Sequence, residues 1–248
     1  MMDRLDNTAH QMQREDFFGQ ESTKKVIFTM IEAAKRRREQ PGHILLYGPE
    51  DSGKKYFADI IAQEIGNKAV FIDGRSKVAF SPSDLASFMT SMENGNTLII
   101  QDLDKMKLQM LEEMLCQAME ENGIDIMIGK GPSARSVRLD LPRFTLIATV
   151  SNKNMISKRL QNSFELTCKM VDYTSADIGL FIHKLSEQLG ITIEEDAARI
   201  IADASQGRIS RAEKLFKRLR DFAQVEGVTS IRLEFAQDRL SLVIDQET

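Results

Sequence analysis

Two cysteines, Cys116 and Cys168, with no CxxC spacing, offer neither a disulfide framework nor a zinc site, and they fit a reducing cytoplasm. The three histidines, His10, His43 and His183, are scattered and suggest no metal site. No window approaches 18 uninterrupted apolar residues, so no segment reads as a membrane-spanning helix. The first residues, MMDRLDNTAHQMQRED, lack the apolar run of a secretory signal. Positive charge is not in excess either. Lys and Arg total 33 against 37 Asp and Glu, a net charge of −4. An acidic chain is not an obvious stand-alone DNA binder, because affinity for DNA comes mostly from neutralising phosphates. Basic character is local, at Lys35-Arg36-Arg37-Arg38 and from Lys214 to Arg220, and both runs read as solvated helix faces. No internal repeat or low-complexity tract is visible.

What is present suffices for a core. The chain has 248 residues, 42% hydrophobic and 28% charged, which suits one large domain or two modest ones. Residues 1–16 are polar and expected to be loosely ordered. Val26, Ile27, Met30, Ile31 and Ala34 recur at helical spacing between Glu21 and Arg38, and Pro41-Gly42 ends that helix. Short apolar runs at His43–Tyr47, Ala69–Ile72, Thr97–Ile100 and Phe144–Val150 read as buried strands. Helices are expected from Lys54 to about Ile65, after Ser81-Pro82-Ser83-Asp84, and from Leu108 to Glu120. Two alternating stretches, Ile124–Ile128 and Ser136–Leu141, flank Gly129-Lys130-Gly131-Pro132 and predict a β-hairpin over 124–141. Strands alternating with helices imply an α/β domain, residues 17–171, with a parallel sheet and helices on both faces. From 172 to 248 the pattern is helical only. Thr174-Ser175-Ala176-Asp177 and Thr192-Ile193-Glu194-Glu195 both match the capping-box spacing, and further helices are expected over Ser210–Val225 and Leu233–Val243. This part reads as a small all-α lid domain.

Gly48-Pro49-Glu50-Asp51-Ser52-Gly53-Lys54-Lys55 matches the phosphate-binding G-x-x-x-x-G-K-[ST] loop except at its last position, and it lies between a predicted strand and helix. Backbone N–H groups and the helix N-terminus can cradle phosphates, with Lys54 reaching the β/γ oxygens. The last position needs a hydroxyl to ligate Mg²⁺, and Lys55 has none. Glu50 and Asp51 add two carboxylates to a loop made for anions. The acidic pair expected at the end of the third strand reads Gln101-Asp102, leaving Asp102 as the candidate catalytic acid. Strand alternation turns Asp102 to the wrong side unless a bulge intervenes. Asp104 shares the side of Asp102 but lies farther along.

Ile124 to Ile147, IDIMIGKGPSARSVRLDLPRFTLI, resembles the presensor hairpin segment of the RuvB family, the hexameric AAA+ motors of Holliday-junction branch migration. The resemblance extends through Asp16–Glu21, Ile31–Lys35, His43–Lys54 and Lys217–Val225, and so covers nearly the whole chain. It implies an α/β ATPase domain, a helical lid and a winged-helix DNA-binding domain, the last of which would begin where this sequence ends. It also implies ATP or ADP as ligand, with Gly48, Pro49, Ser52, Gly53, Lys54 and Lys55 around the phosphates.

Departures from the family cluster at hydrolysis positions. The family has Thr where Lys55 stands and Asp-Glu where Gln101-Asp102 stand. A polar sensor Thr after the strand ending near Ile147 is blurred into Ala148-Thr149-Val150-Ser151. A Leu-Arg-Asp-Arg-Phe-Gly segment carrying the arginine finger is replaced by Leu160-Gln161-Asn162-Ser163-Phe164-Glu165. The lid's sensor arginine falls on Ser210, with Arg211 one residue on, a rotation of about 100° on a helix. The family's Leu-Arg-Pro near the adenine pocket gives way to Ala9-His10-Gln11. Loss of an arginine finger alone costs about 10³ to 10⁵ in rate in related chemistry.

The expected function is a non-hydrolysing module of Holliday-junction recombination or repair. It would bind nucleotide weakly, with no dedicated Mg²⁺ site, and act with a RuvA-like partner. Ile124, Ile126 and Ile128 share one face of the hairpin and, with Arg135 and Arg138, form the expected partner surface; packing of these isoleucines on their own domain is the other reading. Two further readings stay open: an active DNA-dependent ATPase using substitute residues, and a structural subunit of a mixed AAA+ ring.

Overall fold

The computed structural model describes residues 17–76, 81–128 and 135–245; the expected segment 1–16 and the hairpin tip at 129–132 lie outside these. The chain divides into two units between Val171 and Asp172.

The first unit starts with α1 (Glu21–Arg37), β1 (Ile44–Tyr47), α2 (Lys54–Ile65), β2 (Ala69–Asp73), α3 (Pro82–Thr90), β3 (Thr97–Gln101) and α4 (Leu108–Glu121). The hairpin β4 (Gly123–Ile128) and β5 (Arg135–Asp140) follows, then β6 (Thr145–Val150), α5 (Lys158–Ser163) and β7 (Leu166–Lys169). The strands form a parallel five-stranded sheet in the order β2-β3-β6-β1-β7. Its middle strands β3, β6 and β1 are almost wholly buried, as parallel strands covered on both faces must be. Leu45, Leu98, Ile100, Leu146 and Ala148 join Leu85, Leu111, Leu115 and Leu160 of α3, α4 and α5 in one core cluster. Helix α3 opens with the expected cap: the Ser81 hydroxyl accepts from Asp84 N–H at 3.2 Å, and Asp84 Oδ2 accepts from Ser81 N–H at 2.9 Å.

The strand β7 and the short helix α5 carry little sequence signal. Leu166-Thr167-Cys168-Lys169 is four residues on a sheet edge, with Cys168 alone buried. Its position is set by pairing with β1, Ile44 opposite Leu166 through Tyr47 opposite Lys169.

The second unit contains α6 (Ser175–Gln188), β8 (Thr192–Ile193), α7 (Glu195–Ser205), α8 (Ile209–Glu226), β9 (Ser230–Ile231) and α9 (Leu233–Asp245) around its own core of Ile178, Ile182, Ile201, Leu215, Phe216 and Leu219. Residues 17–19 belong to this unit rather than to the α/β unit, because Phe17 packs edge-on against Tyr173, ring centroids 6.5 Å apart. Thr174 and Asp177 form a full capping box at the start of α6. The second expected box is corrected. Thr192 lies in β8, where its hydroxyl donates to the Thr229 carbonyl at 3.1 Å, and α7 starts at Glu195 without a side-chain cap. Pairing of β8 with β9 wins over the capping pattern.

Candidate nucleotide site and hairpin surface

The loop between β1 and α2 is folded by its glycines and its own hydrogen bonds. Gly48 lies so close to the β7 exit that a Cβ there would sit 2.3 Å from the Met170 carbonyl oxygen. Asp51 has φ 61° and Gly53 φ 81°, both left-handed, and a short polar Asp tolerates that region better than most side chains. The buried Ser52 donates to the Pro49 carbonyl at 2.9 Å. Lys54 is buried too, its ammonium donating to the carbonyls of Gly48 at 2.7 Å and of Pro49. Burial lowers the Lys54 pKa, while Asp102, Asp104 and Glu50 act in the opposite sense.

Two lysines, Lys54 and Lys55, open α2 with no acid in its first turn. Cations at the positive end of a helix dipole are unfavourable by themselves, and here a carboxylate compensates. Asp102 Oδ2 lies 2.6 Å from Lys55 Nζ and 2.7 Å from Arg75 Nε, and Arg75 Nη2 reaches Glu50 Oε1 at 3.0 Å. The expectation that strand alternation turns Asp102 away is corrected. Strand β3 ends at Gln101, and Asp102 adopts a left-handed backbone, φ 51° and ψ 48°, so period-two alternation no longer applies. Its N–H donates to the buried Thr149 hydroxyl at 2.9 Å. Asp104 does not join it. Its fully buried carboxylate accepts from the Ser151 hydroxyl, with Lys105 at 3.7 Å. Gln101 is half-buried and its carbonyl accepts from Gly74 N–H at 2.8 Å.

The P-loop part of the site was readable from its motif. Arg75 was not: it sits on the exit turn of β2, far in sequence from the loop, and its residue type at a turn carries no signal. Thr149 and Ser151 lay within a recognised segment, but only the fold pairs them with Asp102 and Asp104.

Residues 10–170 match the family model described as the Holliday junction DNA helicase RuvB P-loop domain, and residues 173–245 match the RuvB AAA lid domain. The chain belongs to the RuvB family. It is 36% identical over 246 residues to the Holliday junction branch migration complex subunit RuvB of Kosmotoga olearia, covering 99% of this chain and 71% of that protein. The Thermotoga maritima RuvB branch migration motor superposes with a TM-score of 0.81 at 28% identity, covering 93% of this chain and 72% of that one. A point mutant of the same motor gives 0.83 at 29% identity, with the same coverage. The P-loop is thus that of a nucleotide-binding family.

In the segment expected to stand where the family carries its arginine finger, Gln161 and Ser163 are half-buried and bonded within their own unit, while Asn162 and Glu165 are exposed. Gln161 Nε2 donates to the Lys153 carbonyl at 2.8 Å and the Ile156 carbonyl at 3.0 Å. The Ser163 hydroxyl donates to Glu120 Oε1 at 2.6 Å. Arg159, the nearby cation, forms an ion pair with Glu113. Arg211 lies in the first turn of α8 within the helical unit, half-buried.

The RuvB hairpin pairs Ile124 with Leu139, Ile126 with Val137 and Ile128 with Arg135. Its predicted surface needs one correction. Ile124 is fully buried in the core of its own unit, so it anchors the ribbon and offers no area to a partner. A two-stranded ribbon needs such support. Ile126 is half-buried against the same core, the Ile128 side chain lies outside the described residues, and Met127 is 68% exposed. Arg135 is exposed, and Arg138 is tied to Glu121 at 2.7 Å. Ile126, Met127 and Leu139 line a groove of about 610 Å³ whose far wall is Pro82 and Ala86 of α3 and Met114 of α4. Asp125 N–H donates to Gln117 Oε1 at 3.2 Å and fixes the ribbon to α4.

Proposed function

We propose that this chain is a RuvB-family module that binds nucleotide without hydrolysing it and holds a RuvA-like protein through its hairpin, in Holliday-junction recombination or repair. One observation carries the first half. Asp102, the carboxylate next to the P-loop, has one oxygen, Oδ2, in ion-pair contact with both Lys55 at 2.6 Å and Arg75 at 2.7 Å. A carboxylate oxygen already occupied by two cations is not free to accept a hydrogen bond from an attacking water. Lys55 has no lone pair for a metal, and Ser163 offers no charge to a developing phosphoryl transition state in a neighbouring subunit. Steady-state ATP turnover with Mg²⁺ and junction DNA tests this. No turnover above background is expected; turnover that disappears in Lys54→Ala overturns it.

The second half is supported by the groove. An apolar lining of Ile126 and Leu139, an exposed Met127 and the acidic Glu113 and Asp125 in the same groove match the composition of an interface core and its border. Calorimetric titration of the chain with the third domain of a RuvA-like protein is expected to give saturable heat, abolished by Met127→Asp with Ile126→Asp. Absence of heat with the native chain overturns the partner assignment.

A further inference from the structure

We propose that Lys55 and Arg75 take the place of the divalent cation at this P-loop, so that the site prefers a metal-free nucleoside triphosphate to its magnesium complex. The inference rests on, and deepens, the reading of the chain as a non-hydrolysing member of its family.

The residues present do not fit magnesium. Mg²⁺ demands oxygen ligands in near-octahedral array. The P-loop position that would supply a hydroxyl carries an ammonium, and the strand-end position that would supply a carboxylate carries Gln101. The carboxylate that remains, on Asp102, already has two cations on its Oδ2. No group of three or more His, Cys, Asp or Glu among the described residues could hold a metal.

The cation pair is positioned by backbone, not by chance contact of long side chains. Gly74 lets the exit of β2 press against the exit of β3: a Cβ there would lie 2.2 Å from the Asp102 carbonyl oxygen. Gly74 N–H donates to the Gln101 carbonyl at 2.8 Å, and Asp73 Oδ1 accepts from Arg75 N–H at 2.9 Å. These bonds deliver Arg75 to Asp102. From the other side, Asp102 is turned to meet it by its left-handed backbone and the Thr149 hydroxyl. Lys55 enters from the first turn of α2, one residue beyond Lys54. Lys54 itself feels both Asp102 and Arg75 electrostatically, which puts the pair beside the lysine that the motif aims at β/γ phosphates.

An ammonium offers three donors and a guanidinium five, so both can turn toward a terminal phosphate while retaining Asp102. Asp102 then serves to hold two cations at an anion-binding helix terminus. A nucleoside diphosphate lacks the phosphate that would reach them. Magnesium-bound triphosphate carries two positive charges into contact with two fixed ones, and is disfavoured.

A fluorescent ATP analogue and the ADP analogue, titrated into the full chain in EDTA and in excess Mg²⁺, test the idea. ATP-analogue affinity is expected to be at least about threefold tighter in EDTA than in Mg²⁺, and tighter than that of the ADP analogue in EDTA. Arg75→Ala, at a half-exposed position, is expected to lose at least about fivefold in EDTA. Lys55→Thr is expected to remove or reverse the magnesium penalty. Tighter ATP binding in Mg²⁺, equal affinity in Arg75→Ala, or no binding in either buffer overturns the inference. Turnover measured on the same samples separates the two claims. Magnesium-favoured binding without turnover sinks the cation substitution and leaves the non-hydrolysing reading standing, whereas turnover sinks that reading.

Discussion

Asp59, on α2, has its carboxyl pushed up to about 6 by burial, and its Oδ1 has no hydrogen-bond partner among the described residues. The folded pKa exceeds the unfolded value, so the unfolded chain releases this proton first as pH rises. Stability from this group is therefore complete below about pH 4 and lost by about pH 6. A shift of about two units corresponds to about 3 kcal/mol, an upper bound because the residue is only part-buried. Asp59→Asn is expected to gain about 1 to 3 kcal/mol at pH 7.5 and little at pH 4. Thermal midpoints of both proteins at the two pH values check it; a gain that grows toward low pH contradicts the sign. Asp59 could not have been singled out in the sequence, where it is one acid in a helix beginning Lys54-Lys55. Lys55 could, because a motif fixes what its position needs. Asp102 lay between the two: its identity was legible, but its orientation was not, since a left-handed turn replaced the strand geometry that alternation assumes.

At the scale of elements, the hairpin separates residues that hold the ribbon from residues that face outward. Ile124 is fully buried, and Ile124→Ala is expected to cost about 2 to 5 kcal/mol by urea unfolding. Met127→Ala, on the exposed side, is expected to stay within about 0.5 kcal/mol. Equal costs for the two would mean that the strand faces are assigned wrongly. Thr174→Ala removes a hydroxyl that accepts from Asp177 N–H at 3.1 Å, and is expected to cost about 0.5 to 2 kcal/mol. Elements with a period and a cap were readable: α1, α2, α3 and α4 start or end within a residue of the spacing-based bounds, and the capping box of α6 forms. The hairpin strands also follow the alternation, although sharing a face did not tell which isoleucine that face would bury. The edge strand β7 was not readable, because four residues paired on one side carry neither a long apolar run nor a clean alternation. Thr192 shows the converse: a capping pattern is local, and a two-residue pairing with Ser230 and Ile231 overrode it.

For the whole molecule, the decisive quantity is charge and where it is spent. A net −4 is spread over a chain whose basic runs are largely matched by adjacent acids. Arg36 pairs with Glu32 and Arg37 with Glu39 in the first run. In the second, Lys217 pairs with Glu213, while Arg218 and Arg220 both reach Asp221. Except for the half-buried Arg220, these are exposed pairs worth little to stability, yet each keeps a carboxylate beside a cation that would otherwise neutralise a phosphate. Few counterions are then released on contact with DNA. Each phosphate neutralised contributes about −0.9 to the slope of log affinity against log salt on duplex DNA, so the slope is expected to be shallow, under about 4 in magnitude. The Kd for duplex at physiological salt is expected in the non-specific range of about 10⁻⁴ to 10⁻⁶ M. Fluorescence anisotropy of a labelled duplex across a salt series measures both. Substituting Glu32, Glu39, Glu213 and Asp221 by Gln or Asn removes four acids, and is expected to tighten binding and steepen the slope. If instead the native chain binds duplex in the nanomolar range with a steep slope, the acids are not screening these helices, and the chain carries a DNA surface of its own.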